Sequence, residues 1–439
     1  MRFSLRSLVH CSAAFTILIA ATACSSQHSA PSVPNAQTNS DQVRRPQQIL
    51  AWPSDILAYA AQISAFPTQI DAFPTQIGAD PAQISASPVC LPNLNGYARC
   101  HSHQRTDIPT NPNPSLPPAQ ILGYQPGQLQ DAYGVTAAAA TAGANQTVAV
   151  IVAYDAPSLE ADLGAYRAVF ALPPCTKANG CLDVFYSSGN RPEFDPSWSV
   201  EATLDVEMVS AICPLCNIMV VETSDSDLKD LARSVPFAVA NGATEISNSY
   251  SVSEKNGMQP YGSYYSQPGV PITASDGDMG YGTNFPSNYA TVTAVGGASL
   301  IKTNNGWASA VWSGTGSGCS IFVSKPRWQT DLGCANRTAN DLAVVADPAT
   351  GVAAYVSGVG GWGVFGGTSV GAPIVAALYA LAGNGSTIND PSHLYANRQW
   401  FAPVAARSNG ICNPAYLCIG GAGYDGPSGL GSPVGLGAF

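Results

Sequence analysis

Five short segments constrain this chain more than anything else in it: Thr147-Val-Ala-Val-Ile-Val-Ala153, Asn217-Ile-Met-Val-Val-Glu222, Thr244-Glu-Ile-Ser-Asn248, Val270-Pro-Ile-Thr-Ala274 and Thr291-Val-Thr-Ala-Val295. The first is apolar without alternation and the others follow it closely, which is how strands read when a parallel sheet buries both their faces. Ser158 to Phe170, Trp198 to Ile212 and Asp225 to Asn241 have helical character and fall between these segments. Strands alternating with helices predict an α/β domain with a central, mainly parallel sheet over residues 121–439. At 439 residues the chain has ample material for such a core.

The charge content excludes one broad class. Charged residues make up 10% of the chain, Lys and Arg number 18 against 28 Asp and Glu, and no basic block exceeds Arg44-Arg45. A nucleic-acid binder needs a basic footprint, and none is present. The formal net charge of -10 fits an acidic or extracellular setting.

Residues 1–23 read as a signal peptide, with Arg2 and Arg6 ahead of an apolar stretch from Leu8 to Ala23. Ala21-Thr22-Ala23-Cys24 resembles a bacterial lipobox, making Cys24 a candidate lipid anchor; ordinary cleavage nearby, releasing a soluble protein, is the alternative. No later stretch offers 18 uninterrupted apolar residues, so no further membrane contact is expected. Residues 24–45 are Ser, Pro and Gln-rich and predict a disordered tether. A seven-residue repeat fills 46–89, with Ile at 49, 56, 63, 70, 77 and 84 and Pro at 46, 53, 67, 74, 81 and 88. Each proline costs about 3 kcal/mol inside a helix, so a coiled coil is excluded and a linker without catalytic task is expected. Residues 90–120 look like a Pro-rich connector.

Ten further cysteines fall as sequence neighbours: Cys90 with Cys100, Cys175 with Cys181, Cys213 with Cys216, Cys319 with Cys334, and Cys412 with Cys418. Five local disulfides in an oxidising compartment are the natural expectation. Cys213-Pro-Leu-Cys216 admits a redox or zinc reading, but no second CxxC completes a zinc site.

The sharpest chemical signal is Gly366-Gly-Thr-Ser369-Val-Gly-Ala-Pro373, opening an apolar helix. There the Ser369 hydroxyl would sit beside unpaired amides and the positive end of the helix dipole, which suits a nucleophile; a plain helix cap is the alternative. Its base is conspicuous by absence. From residue 121 onward the sole histidine is His393, only 24 positions past Ser369, which leaves a His393-dependent esterase as a minor reading. Carboxylates fill the vacancy: Glu201 and Asp205 lie at i and i+4 on one helical face that continues through Met208, Val209 and Ile212. Two acids on a semi-buried face split their titrations, so one holds a proton while the other accepts one; a solvated acidic turn is the alternative. Ser275-Asp-Gly-Asp278 adds an acid at a strand end, where an ordinary turn residue is equally at home.

Taken together, Glu201 to Asp205, Ser275-Asp-Gly-Asp278 and Gly367-Thr-Ser369 to Pro373 resemble, in order, the motifs of the sedolisins, the serine-carboxyl peptidases. Gly123 to Tyr133, Thr293 to Gly297 and Ala422 to Gly431 support the likeness. The resemblance implies a subtilisin-like three-layer domain over 121–439. It casts Ser369 as nucleophile, Glu201 as base, Asp205 as its support and Asp278 as proton donor to the oxyanion. An exported endopeptidase acting at acidic pH through an acyl-enzyme is then expected, because a carboxylate base titrates about two units below imidazole. A monomer acting on polypeptide substrates completes the expectation. A non-catalytic surface binding protein on the same fold remains the principal alternative, since the long folded propeptide of the family is missing from the sequence as read.

The family also binds calcium near its C-terminus. Gly421-Ala-Gly423-Tyr-Asp425 keeps part of that pattern, with Val404 as a carbonyl ligand, but Pro403 stands where the first Asp is expected and Arg407 lies close by. Losing an anionic ligand weakens a site that needs six to eight oxygens. Calcium is the one cofactor in question; no organic cofactor is expected.

Overall fold

A computed structural model describes residues 84–91 and 97–439. The signal peptide, Cys24, the tether and residues 46–83 of the repeat lie outside these residues. Fourteen strands position the site. Three precede the expected domain: β1 (Ala86–Pro88), β2 (Arg99–Cys100) and β3 (His103–Arg105). There follow β4 (Thr147–Ala153), β5 (Leu182–Tyr186), β6 (Asn217–Thr223), β7 (Glu245–Asn248), β8 (Tyr250–Ser253) and β9 (Ile272–Ser275). The last are β10 (Val292–Thr303), β11 (Gly306–Val311), β12 (Leu342–Val345), β13 (Val352–Val356) and β14 (Gly361–Gly366).

The central sheet runs β11-β10-β9-β7-β4-β6-β5, with β12 pairing β10 beside this path. Every pair is parallel except β10 with β11. This is the mainly parallel sheet that the apolar segments predict. Val148 to Ala153 are wholly buried, as a central strand covered on both faces must be.

Four helices matter here: α1 (Leu159–Val169), α2 (Pro196–Ile212), α3 (Leu228–Ala240) and α4 (Thr368–Ala382). Asp195 caps α2 by accepting from the Ser197 and Trp198 amides, and Pro196 occupies the first turn, where its missing N–H costs nothing. From Trp198 to Ile212 the helix is buried on every side, although it carries Glu201, Asp205 and Glu207. Such acids must find partners or hold protons. Helices α2 and α4 pack on one another and on β4 and neighbouring strands of the sheet.

All five expected disulfides are formed. Cys213 and Cys216 are fully buried and bridged, so the CxxC is structural. Gly143, at φ +92°, presses against both sulfurs where any side chain would collide.

Residues 84–120 differ from the expected linker and connector. Strand β1 pairs β3, β3 pairs β14, and β2 pairs β8, all antiparallel. Asn111 makes a further bridge to Trp362. Low hydrophobicity and repeated proline disguised this segment, because its attachment rests largely on backbone ladders, while its one disulfide closes a loop within it.

Candidate active site

The four residues singled out by sequence converge. Helix α2 supplies Glu201 and Asp205, the loop after β9 supplies Asp278, and the first turn of α4 supplies Ser369. Glu201, Asp205 and Ser369 are fully buried and Asp278 is 7% exposed. Helix α4 begins directly after β14, and Gly367 at the junction has φ +96°. A Cβ there would strike the His101 carbonyl oxygen and Asp278 Oδ2, so glycine is required twice over.

Thr368 fixes Asp278: its amide and its hydroxyl donate to Oδ1 at 2.9 and 2.7 Å. Asp278 Oδ2 meets His103 Nε2 at 3.2 Å, an ion-pair contact rather than an aligned hydrogen bond. Burial alone would raise the Asp278 pKa; the His103 contact and the Thr368 amide outweigh it and hold the carboxyl below its ordinary value.

Burial pushes Glu201 up to about 8, helped by the Asp278 charge and opposed by the hydroxyls of Ser102 and Ser369. Those hydroxyls face the carboxyl without well-aligned hydrogen bonds, and both of its oxygens are otherwise unpartnered. Asp205 is raised well above its ordinary value by burial and then by Glu201. Glu201 therefore holds a proton and Asp278 lacks one. Moving one proton between them gives a carboxylate beside Ser369 and an acid beside the carbonyl-binding position, with no change in net charge.

Pro373 explains another element of the motif. Lacking an N–H, it cannot bond the Ser369 carbonyl four residues back. Ser249 Oγ takes that place at 3.3 Å and lies 2.7 Å from Asp205 Oδ1. A single hydroxyl proton serves only one acceptor, so a protonated Asp205 donating to Ser249 is the state in which both contacts are satisfied. Ser249 thereby links the α2 acids to the nucleophile's backbone, and nothing in the sequence marked it.

The cleft is filled by the chain's own N-terminal segment. The His101 amide donates to Ser369 Oγ at 2.9 Å and to the Ser249 carbonyl at 3.3 Å. The Ser369 amide donates to the His101 carbonyl at 3.1 Å. His101 Nε2 pairs with Ser251 Oγ at 2.6 Å, and burial lowers its pKa to about 4. The His101 ring turns to Ser251 and the His103 ring to Asp278, so neither serves Ser369 as a base. His393 is no base either: its Nδ1 contacts the Asp390 carbonyl and its ring packs on Tyr379. Tyr379 lies ten residues along α4 from Ser369, about 15 Å at helical rise.

No family model matches the chain. Kumamolisin of Bacillus sp. strain MN-32 is 28% identical over 286 residues, covering 56% of this chain and 51% of that protein. Sedolisin of Pseudomonas sp. strain 101 is 29% identical over 175 residues, covering 36% of this chain and 29% of its own. A solved Pseudomonas sedolisin, described as a serine-carboxyl proteinase complexed with pseudo-iodotyrostatin, superposes with TM-score 0.62. The match spans 72% of this chain and 96% of that one at 22% identity, which shows the fold. In sequence and in fold the chain is similar to the sedolisins. It spans about half the length, or less, of the curated sedolisin-family relatives it matches.

The family's calcium pattern does not fit the residues found here. Both oxygens of Asp425 face hydrogen-bond donors: the Gly421 amide at 2.9 Å, the Ser428 amide at 2.8 Å and the Ser428 hydroxyl. Pro403 and Gly423 line a cavity of about 210 Å³ shared with the Arg398 guanidinium. Val404 is buried with Ala298, Val311 and Ala343, and among the described residues no group of three or more His, Cys, Asp or Glu side chains is placed to hold a metal ion. Asp425 ties a turn together where a calcium ligand set would need an open carboxylate.

Proposed function

We propose that this protein is an exported serine-carboxyl endopeptidase that hydrolyses polypeptides at acidic pH through an acyl-enzyme. The convergence of Glu201, Asp205, Asp278 and Ser369 around one helix N-terminus carries the reading. Ser369 Oγ attacks the substrate carbonyl while Glu201 takes its proton and Asp205, seated on Ser249, holds Glu201 in place. The Ser369 amide and a protonated Asp278 stabilise the oxyanion, as preorganised donors aimed at developing charge do. Asp278 donates only while it carries the proton that Glu201 otherwise holds, so activity falls as pH rises and that shared proton is lost. Five disulfides support export to an oxidising compartment. Lipid attachment at Cys24 and a monomeric state complete the proposal, and no step requires calcium.

The test is digestion of acid-denatured casein and labelling by a fluorophosphonate probe at pH 3–5. The purified chain should do both after acid incubation and Ser369→Ala neither. Equal digestion by the two proteins, or activity confined to pH 8, would refute the assignment. The covered cleft gives the non-catalytic binding protein its one supporting observation, and the same comparison separates the two readings.

A further inference from the structure

Just before Asp278 lies an acid that the reaction leaves unused. Asp276 follows β9, is wholly buried, and donates its amide to the Val295 carbonyl of β10 at 3.0 Å. Its own carbonyl accepts from Asn284 Nδ2 at 2.6 Å, and Gly316 packs so closely that a Cβ there would strike that oxygen. The chain then turns at Gly277, φ +96°, whose amide donates to Thr368 Oγ1 at 3.1 Å and whose carbonyl accepts from the Gly316 amide at 2.8 Å. Thr368 is the residue that fixes Asp278. Whatever holds Asp276 therefore helps to hold the acid at the oxyanion position.

The Asp276 carboxyl meets one hydroxyl. Ser287 Oγ lies 2.5 Å from Oδ1 and 2.9 Å from the Asn284 carbonyl, while Oδ2 is buried without a hydrogen bond. A single hydroxyl proton serves one acceptor, so both Ser287 contacts are made when Asp276 donates to Ser287 and Ser287 donates to Asn284. An ionised Asp276 would lack a counter-charge. Arg337 is the cation that acts on it, and Asp341 already takes both amino groups of that guanidinium, at 3.0 and 2.6 Å. Asp341 and Glu254, the other charged groups that act on it, are acids, and burial pushes its pKa up to about 8. A buried neutral carboxyl short of one hydrogen bond costs far less than a buried charge without a partner.

We propose that Asp276 is a positioning residue for the reaction: as a neutral acid donating to Ser287 it closes a ring with Ser287 and Asn284 and locks the turn that presents Asp278 to the substrate carbonyl oxygen. The inference rests on the peptidase reading above. The ring requires a donor at position 276 and no charge. The amide of Asp276→Asn, equal in size, supplies that donor, and the methyl of Asp276→Ala does not.

The experiment uses the full chain after acid incubation, with kcat and KM on acid-denatured casein and melting curves, all at about pH 4. Asp276→Ala should lower kcat at least about tenfold through a misplaced Asp278, with KM within about twofold. Asp276→Asn should keep kcat within about threefold of wild type and melt close to it, while Asp276→Ala melts about 4 °C or more lower. Ser287→Ala removes the partner instead of the acid and should match Asp276→Ala, so the contact is still read if Asp276→Ala does not fold. Asp276→Asn falling as far as Asp276→Ala or Ser287→Ala overturns the inference, since the charge would then be what counts. Wild-type kcat in Asp276→Ala and Ser287→Ala overturns it as well. Either result beside an active wild type leaves the peptidase reading standing. A wild type inert on casein, with Asp276→Asn still melting above Asp276→Ala, removes that reading and keeps the lock on the Asp278 turn. An inert wild type with no such order of melting removes both.

Discussion

Ser249 shows how much a single hydroxyl carries in a dry site. It spans Asp205 and the Ser369 carbonyl that Pro373 leaves without its helical partner. Ser249→Ala strands two buried polar atoms at about 1–3 kcal/mol each. We expect kcat to fall by about tenfold or more with KM little changed, and the pH profile to shift as Asp205 loses its acceptor; Ser249→Thr should restore most of both. Unchanged kcat and pH profile in Ser249→Ala would remove its positioning role. The acids and Ser369 were legible because their spacing is local: i to i+4 on one helix, and a Gly-Thr-Ser at a helix start. Ser249 was not, because its importance arises from a proline 124 positions later in sequence. His101 and His103 carried a signal that could have been used, two of only five histidines set one apart beside a cysteine.

Among the elements, the strands and helices read from apolar segments recur within a few residues of their expected limits, since buried parallel strands leave a continuous signature; the exception is the strand read as Thr291 to Val295, which runs from Val292 to Thr303. The N-terminal strands escaped because two or three residues of backbone pairing leave no periodicity to detect. The Asp425 turn is the element where family likeness misleads most. Its carboxylate accepts from Gly421 and Ser428, contacts that a cation would have to displace. Thermal melting with and without EDTA should differ by less than about 1 °C, while Asp425→Ala should lower Tm by roughly 2–8 °C through loss of about 1–3 kcal/mol of buried hydrogen bonding. A large EDTA-induced drop would establish a calcium cage after all.

At the level of the whole molecule seven buried carboxyls shift upward together, while Asp278 shifts down. Burial raises Glu201 and Asp276 to about 8, Glu222 and Glu245 to about 7, Asp425 to about 6, and Asp205 and Glu207 well above the ordinary range. Each folded pKa exceeds its unfolded value, so the native state binds more protons between about pH 4 and 8 and loses stability as pH rises through that window. Buried His101, lowered to about 4, works the other way between 6.5 and 4, and His393 is lowered in the same direction. The carboxyls outnumber them. Melting of Ser369→Ala, which cannot digest itself, should give a Tm at least about 5 °C higher at pH 4 than at pH 8. A higher Tm at pH 8 would contradict the protonated interior. The 10% charge content hinted at such an interior, but which acids it enclosed depended on packing that no local pattern reveals. Cys90 and Cys100 bridge only each other. That bridge closes a loop inside the N-terminal segment and ties it to nothing else, so the cover over the catalytic cleft is fastened, among the described residues, by non-covalent contacts that acid or denaturant can loosen.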